Sequence, residues 1–191
     1  MLILDLYRLR AWPYRHACES PTAGYWITGF IVATGTIYGL LVATFQRAIG
    51  GDLQGFPVEQ IPDLVLFGGN VLAGLVITIM VHMGFVLVSW LAARGVGGPG
   101  LFGYLYKATS YLLPLLIGAL PQAALIAARA GRDLPPPAVQ PLTVPLAVLS
   151  GGMFLFGLYQ IMRLTQGFAG GRAAGAVGIF TVFCVALFLI L

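Results

Sequence analysis

Five long apolar stretches dominate the sequence and restrict it to one class of protein. They occupy residues 24–45, 64–92, 109–128, 141–162 and 173–191. Each is close to or longer than the roughly 20 residues that an α-helix needs to cross the hydrocarbon core of a bilayer. Only 8% of the residues are charged, against roughly a quarter in ordinary soluble domains. We therefore expect an integral membrane protein.

The apolar stretches are predicted to be helices, because the alternating pattern of about 10 residues that marks strands of a membrane β-barrel is missing. The predicted fold class is all-α. It is an integral membrane bundle of five transmembrane helices in residues 24–191, preceded by a short interfacial amphipathic helix in the cytoplasmic segment 1–23. We expect Trp12 and Tyr14 of that segment to lie at the level of the lipid headgroups, with Asp5 on its polar face. An unstructured basic tail is the alternative.

Basic side chains between the stretches predict the orientation, since cytoplasmic segments are enriched in Lys and Arg. Seven lie on the side of the N-terminus: Arg8, Arg10, Arg15, Arg94, Lys107, Arg163 and Arg172. The opposite side has Arg47, Arg129 and Arg132 beside Asp52, Glu59, Asp63 and Asp133. The N-terminus is therefore expected in the cytoplasm. Because the basic residues are scattered singly, no nucleic-acid partner is predicted despite the net charge of +4.

Ionisable groups inside the stretches are few, which limits the chemistry available to the chain. All six carboxylates lie between the stretches or at their edges, so we predict no catalytic residues, no metal ligands and no cofactor. His82 is the exception. It is expected to hydrogen-bond between helices, and a catalytic pair with Ser150 is a minor alternative. Asn70, Gln122 and Gln160 are expected to form similar interhelical hydrogen bonds.

Small residues predict close helix packing at two places. Gly35 and Gly39 in the first stretch, and Gly171 and Gly175 at the start of the fifth, have the four-residue spacing that lets helix backbones approach. Glycine is frequent in membrane helices in general, so part of this pattern carries no packing information.

Prolines predict where helices bend or end. Pro114 and Pro121 in the third stretch are expected to kink it twice on one face. Such kinks can line a cavity, although more often they only shape packing. The connection at residues 129–140 contains three consecutive prolines and is expected to be extended.

Residues 94–121, RGVGGPGLFGYLYKATSYLLPLLIGALP, resemble the most recognisable element of the Yip1 family of membrane proteins. The family pattern has a Gly-Gly turn after the second span, then an aromatic residue, and a Tyr and a Pro that open the third span. It matches Gly97, Gly98, Phe102, Tyr111 and Pro114.

The later stretch LYQIMRLTQGFAGGRAAGAV resembles the family's fourth-to-fifth connection, with Arg172 where the last helix restarts. The resemblance implies five spans, a cytoplasmic N-terminus and, for a bacterial member, a place in the inner (plasma) membrane with the C-terminus periplasmic or extracellular. Eukaryotic relatives have a longer cytosolic N-terminal region and are associated with Rab GTPases and vesicle traffic. This chain lacks that length, so Rab binding is not expected.

Two hypotheses about function follow. In the first, a non-enzymatic Yip1-type protein acts as an accessory, assembly or scaffolding subunit. Its partners are then the lipid bilayer and other membrane protein subunits or further copies of itself. In the alternative, an oligomeric transporter or channel has a path lined by His82, Asn70 and Gln122.

Overall fold

The structure is a computed structural model that describes residues 1–53, 55–130 and 139–190, with side chains described up to residue 186. Its helices are α1 (Leu2–Tyr7), α2 (Trp12–Glu19), α3 (Ala23–Ile49), α4 (Asp63–Gly95), α5 (Phe102–Ser110), α6 (Leu120–Arg129), α7 (Gln140–Gln166) and α8 (Gly170–Ile190). Short 3-10 helices cover Val58–Gln60 and Leu113–Ala119, and two short strands are β1 (Asp52–Leu53) and β2 (Phe56–Pro57). The all-α prediction is confirmed for the described residues. The proline-rich part of the predicted extended connection, 131–138, lies outside them.

Three helices, α3, α4 and α7, are long and apolar enough to cross a membrane. A fourth candidate is α5 together with Leu113–Arg129, a pair bent by 46°, if the two form one span. The fully described part of α8, Gly170–Ala186, is a shorter apolar helix. The structure therefore supports a membrane protein with three or four candidate spans in the described part of the chain.

The third predicted span, 109–128, is broken rather than kinked twice. α5 begins ahead of it and ends at Ser110, a 3-10 helix follows, and α6 begins at Leu120. Pro114 has no backbone N–H to donate and its ring would clash with the carbonyl of Ser110, four residues earlier, so α5 does not continue as an α-helix past Ser110. Pro121 lies in the first turn of α6, where proline is well tolerated. The predicted pair of kinks in one helix is therefore wrong.

The N-terminal segment folds as two helices, α1 and α2, instead of one. Between them Leu9 has a φ of 55°, in the left-handed region. Asp5, predicted on the polar face, is buried because Arg10 pairs with its carboxylate at 3.2 Å and the Trp12 indole N–H donates to it at 3.1 Å. Tyr14 is also buried, so its side chain packs inside the protein instead of at the headgroups.

The chain divides into two compact units. The first unit consists of Met1–Phe30, Met80–Leu115 and Gly152–Leu191, and the second unit of Ile31–Ile79 and Leu116–Gly151. In the first unit, Phe85 of α4 packs against Phe154 of α7 and Phe180 of α8, with ring centroids 4.9 and 5.9 Å away. Aromatic packing of this kind stabilises a core beyond the area it buries.

In the second unit, the loop between α3 and α4 is held against the helices. β1 and β2 pair antiparallel, and Val58 after them is buried with Ala43 and Leu66. The Arg47 guanidinium, in the last turn of α3, donates to the Val58 carbonyl at 2.5 Å and pairs with Asp63. One cation thus links the end of α3 to the loop and to the start of α4.

Candidate functional site

His82 is buried in the first unit. Its Nε2 atom lies 3.2 Å from the Thr109 hydroxyl of α5, and its ring centroid lies 5.1 Å from that of Tyr106. The Thr109 hydroxyl donates its single proton to the Leu105 carbonyl at 2.7 Å. Which atom donates between His82 and Thr109 depends on the tautomer of the ring. The result is a hydrogen bond between α4 and α5.

Truncation of His82 is expected to destabilise the first unit. His82→Ala removes a buried ring and should lower the free energy of unfolding by about 2–4 kcal/mol. His82→Gln should retain most of the stability, because its amide can still form a hydrogen bond with Thr109. Unfolding in mixed micelles of SDS and a mild detergent, followed by circular dichroism, measures both variants. Equal losses would mean that the hydrogen bond to Thr109 contributes nothing.

Two of the other three polar residues predicted inside the spans, Asn70 and Gln122, bond to neighbouring helices. In the second unit, Asn70 of α4 donates to the side-chain oxygen of Gln46 in α3 at 2.9 Å. Gln122 of α6 accepts from the Thr143 hydroxyl of α7 at 2.6 Å. Gln160 lies half-buried on α7 in the first unit. Asn70 and Gln122 thus form hydrogen bonds between helices, as predicted.

Ser150, considered above as a partner for His82, belongs to the second unit. Its hydroxyl lies against Gly118, where a Cβ would collide with it. The observed hydrogen-bond partner of His82 is Thr109, which belongs to the same unit as His82.

Gly35 and Gly39 lie where α3 packs against α4 in the second unit. A Cβ on Gly39 would be 2.6 Å from the Cα atom of Val71, and one on Gly35 would be 2.9 Å from that of Leu75. Gly74 is their counterpart on α4, since a Cβ there would be 2.9 Å from the backbone nitrogen of Gly39. Distances below 3 Å to backbone atoms leave no room for a side chain at these positions.

Gly171 and Gly175 have different surroundings. In the described part of the chain, nothing lies within 4 Å of the position that a Cβ on Gly171 would take. A Cβ on Gly175 would meet the Val96 side chain at an ordinary 3.7 Å. The four-residue spacing of this pair therefore does not coincide with a close helix contact among the described residues.

The turn between α4 and α5 contains the two glycines of the Yip1-like pattern. Gly97 has a φ of +79°, which side chains rarely tolerate. A Cβ on Gly98 would collide with the ring of Phe168. Phe102 opens α5, and Arg172 lies exposed in the first turn of α8. Backbone conformation and packing account for both glycines.

The N-terminal helices pack on the break that follows α5. The Tyr7 hydroxyl donates to the Pro114 carbonyl at 2.6 Å. On α2, the Nδ1 atom of His16 lies 3.1 Å from the hydroxyl of Tyr111, the residue directly after α5. The N-terminal segment therefore contacts two positions of the Yip1-like pattern, Tyr111 and Pro114.

Tyr14 of α2 is inserted next to α7. Its hydroxyl lies 2.6 Å from the position that a Cβ on Gly157 would take, so only glycine leaves room for it. This hydroxyl is buried and has no hydrogen-bond partner among the described residues. Burial raises its pKa well above the ordinary tyrosine value.

A groove in the first unit is a feature that the sequence does not predict. It has a volume of about 580 Å³ and is lined by residues of α2, of the start of α5 and of the last turn of α7, among them Arg15, Cys18, Glu19, Tyr104 and Thr165. A neighbouring depression of about 450 Å³ shares Cys18 and Tyr104 and adds Lys107. The lining residues come from three distant segments, so no local pattern marks them.

The first unit also contains all seven basic residues of the predicted cytoplasmic side. Its carboxylates are Asp5 and Glu19, and Asp5 already pairs with Arg10. In the second unit the sequence has three basic and four acidic residues. The first unit is therefore strongly basic and the second close to neutral.

These helices define an α-helical membrane protein. In the ranges that the structure describes, no group of three or more His, Cys, Asp or Glu side chains could hold a metal ion. Comparisons with models of protein families, with curated proteins and with solved structures find no match for the chain.

Proposed function

We propose that the chain is a non-enzymatic, Yip1-type protein of the bacterial inner membrane that acts as an accessory, assembly or scaffolding subunit. In this proposal it has five spans, of which α8 is the fifth. α1 and α2 lie at the cytoplasmic interface, and the C-terminus is outside. The basic character of the first unit supports the orientation, because cytoplasmic segments are enriched in Lys and Arg.

One observation carries the subunit role, an exposed face of small residues on α8. Gly171, Ala174 and Gly178 are exposed and follow one another at spacings of three and four residues. Neither glycine has a described atom within 4 Å of the position of a Cβ. Small residues let helices approach closely within lipid, where hydrophobicity does not drive association. The face therefore suits a transmembrane helix of another subunit or of a second copy.

The polar residues of the candidate spans favour packing over transport. A path for solutes needs donors and acceptors that are free to meet them. His82, Asn70 and Gln122 instead bond to side chains of adjacent helices. Such bonds are worth roughly 0.5–2 kcal/mol each and stabilise helix association.

The subunit role is tested by substitution on α8. We expect the wild-type chain, cross-linked in its native membrane and extracted in mild detergent, to migrate in a complex larger than the monomer. Gly178→Leu should reduce that complex about tenfold or more, the effect of roughly 1.4 kcal/mol. Gly84→Leu is the matched control, since Gly84 of α4 is also exposed with open space around it in the described structure.

Two outcomes contradict the subunit role. One is a wild-type chain that remains a free monomer with no co-purifying protein. The other is an equal loss of the complex in the Gly178 and Gly84 variants, which would show that any bulky residue in the membrane disturbs assembly.

A further inference from the structure

We propose that the groove of the first unit binds the phosphate-bearing headgroup of an anionic phospholipid. The groove lies beside the ends of two candidate spans. α2 ends at Glu19, shortly before α3 begins at Ala23, and Leu164 and Thr165 lie in the last turn of α7. This site rests on the membrane insertion in the proposed function and is independent of the partner on α8.

The dimensions and lining of the groove suit a lipid headgroup. Its volume of about 580 Å³ lies within the roughly 300–1,000 Å³ of ligand pockets. Leu101, Tyr104 and Leu164 provide apolar surface for the glycerol and the first carbons of the acyl chains. Arg15 and, in the adjoining depression, Lys107 provide cations.

The charge of the groove selects an anion. Arg15 and Lys107 are exposed, and neither has a carboxylate partner in the part of the chain that the structure describes. Glu19 is the opposing charge. Burial raises the pKa of the Cys18 thiol, Lys107 lowers it and Glu19 raises it, so both charges act at Cys18, which lines the groove. Two cations against one carboxylate leave a net positive site, which matches a singly charged phosphate diester.

Backbone donors at the start of α5 strengthen the match. The Leu101 N–H already donates to the side-chain oxygen of Gln166 at 3.3 Å. The N–H groups of Phe102, Gly103 and Tyr104 have no acceptor among the described residues. A Cβ on Gly103 would meet no described atom within 4 Å, so the backbone there is accessible. Free N–H groups in the first helical turn favour phosphate oxygens.

The first experiment counts lipids bound to the full chain in detergent by native mass spectrometry, using dioleoyl phosphatidylglycerol and dioleoyl phosphatidylcholine as probes. We expect the anionic lipid to bind at least about fivefold more tightly, the factor that one juxtamembrane cation contributes. Arg15→Gln and Lys107→Gln should each remove about that factor, and Glu19→Gln should strengthen binding. Arg172→Gln, which neutralises an exposed cation outside the groove in the same unit, is the matched control.

A second measurement locates the lipid. Cys18 lines the groove, so its alkylation by N-ethylmaleimide should be slower in nanodiscs of phosphatidylglycerol than in nanodiscs of phosphatidylcholine. Arg172→Cys in a Cys18→Ser background places a thiol at an exposed position outside the groove and reports any general effect of the lipid on thiol reactivity. A large excess of inorganic phosphate should leave both the protection and the bound lipid unchanged.

Three results overturn the site. Equal binding of the two lipids would remove the preference for an anion. An equal loss in Arg172→Gln would mean that binding follows the total charge of the unit. Displacement of the lipid by inorganic phosphate would assign the groove to a soluble anion. The Arg15 and Lys107 variants should keep the complex that Gly178→Leu disrupts, so failure of one proposal is distinguishable from failure of the other.

Discussion

Replacement of Gly39 by Leu is expected to lower the free energy of unfolding by about 3 kcal/mol or more, at the upper end of the cost of overpacking. A Cβ at this position would be 2.6 Å from the Cα atom of Val71 and 2.7 Å from the carbonyl carbon of Asn70. Both are backbone atoms, so the collision cannot be relieved by the rotation of a side chain. α3 and α4 would have to separate, and the hydrogen bond between Asn70 and Gln46 would break with them.

Gly29→Leu is the control for this substitution. It adds the same side chain to the same helix at an exposed position, where the structure describes no atom within 4 Å of a Cβ. Unfolding in mixed micelles, followed by circular dichroism, should show a large loss for Gly39→Leu and little change for Gly29→Leu. Similar results for the two variants would show that the close contact between α3 and α4 is not needed for stability.

The glycine pairs show how far sequence spacing determines packing. Glycines four residues apart share a helix face whatever the rest of the fold does, which is why Gly35 and Gly39 could be identified in advance. The same spacing at Gly171 and Gly175 meets no close helix among the described residues. Spacing shows which residues share a face, but the opposing helix is a property of the tertiary structure. Gly74 belongs to neither predicted pair, yet it is the residue of α4 that completes the contact with Gly35 and Gly39.

The N-terminal segment shows a second limit. Helical periodicity placed Asp5 on a polar face, yet a carboxylate can be buried once a cation and a donor lie close to it. Arg10 and Trp12 lie close to this carboxylate in the structure, where the left-handed conformation of Leu9 separates α1 from α2. Lengths of apolar stretches and counts of basic residues are local properties, so they predicted the candidate spans and the basic segments. The groove depends on contacts between α2, α5 and α7, and no local property encodes it.

Tyr14 should be the residue of α2 on which the docking of the N-terminal segment depends most. The side chain is fully buried, so Tyr14→Ala is expected to cost about 3–5 kcal/mol and to release α2 from α7. Tyr14→Phe should preserve or raise stability, because it removes a buried hydroxyl that has no hydrogen-bond partner among the described residues. The ring therefore supplies the stabilisation and the hydroxyl a small cost.

The raised pKa of Tyr14 adds a dependence on pH. Its stabilising effect is complete below the ordinary tyrosine value of about 10 and is lost as the pH rises above it, since the buried form must stay neutral. Trypsin cleavage at Arg15 measures the docking of α2. Cleavage should accelerate in Tyr14→Ala, and above pH 10 it should accelerate in the wild type more than in Tyr14→Phe. Tyr25→Ala, at a position 83% exposed, controls for the loss of an aromatic ring. If Tyr14→Phe were cleaved as fast as Tyr14→Ala, the hydroxyl and not the ring would hold α2 in place.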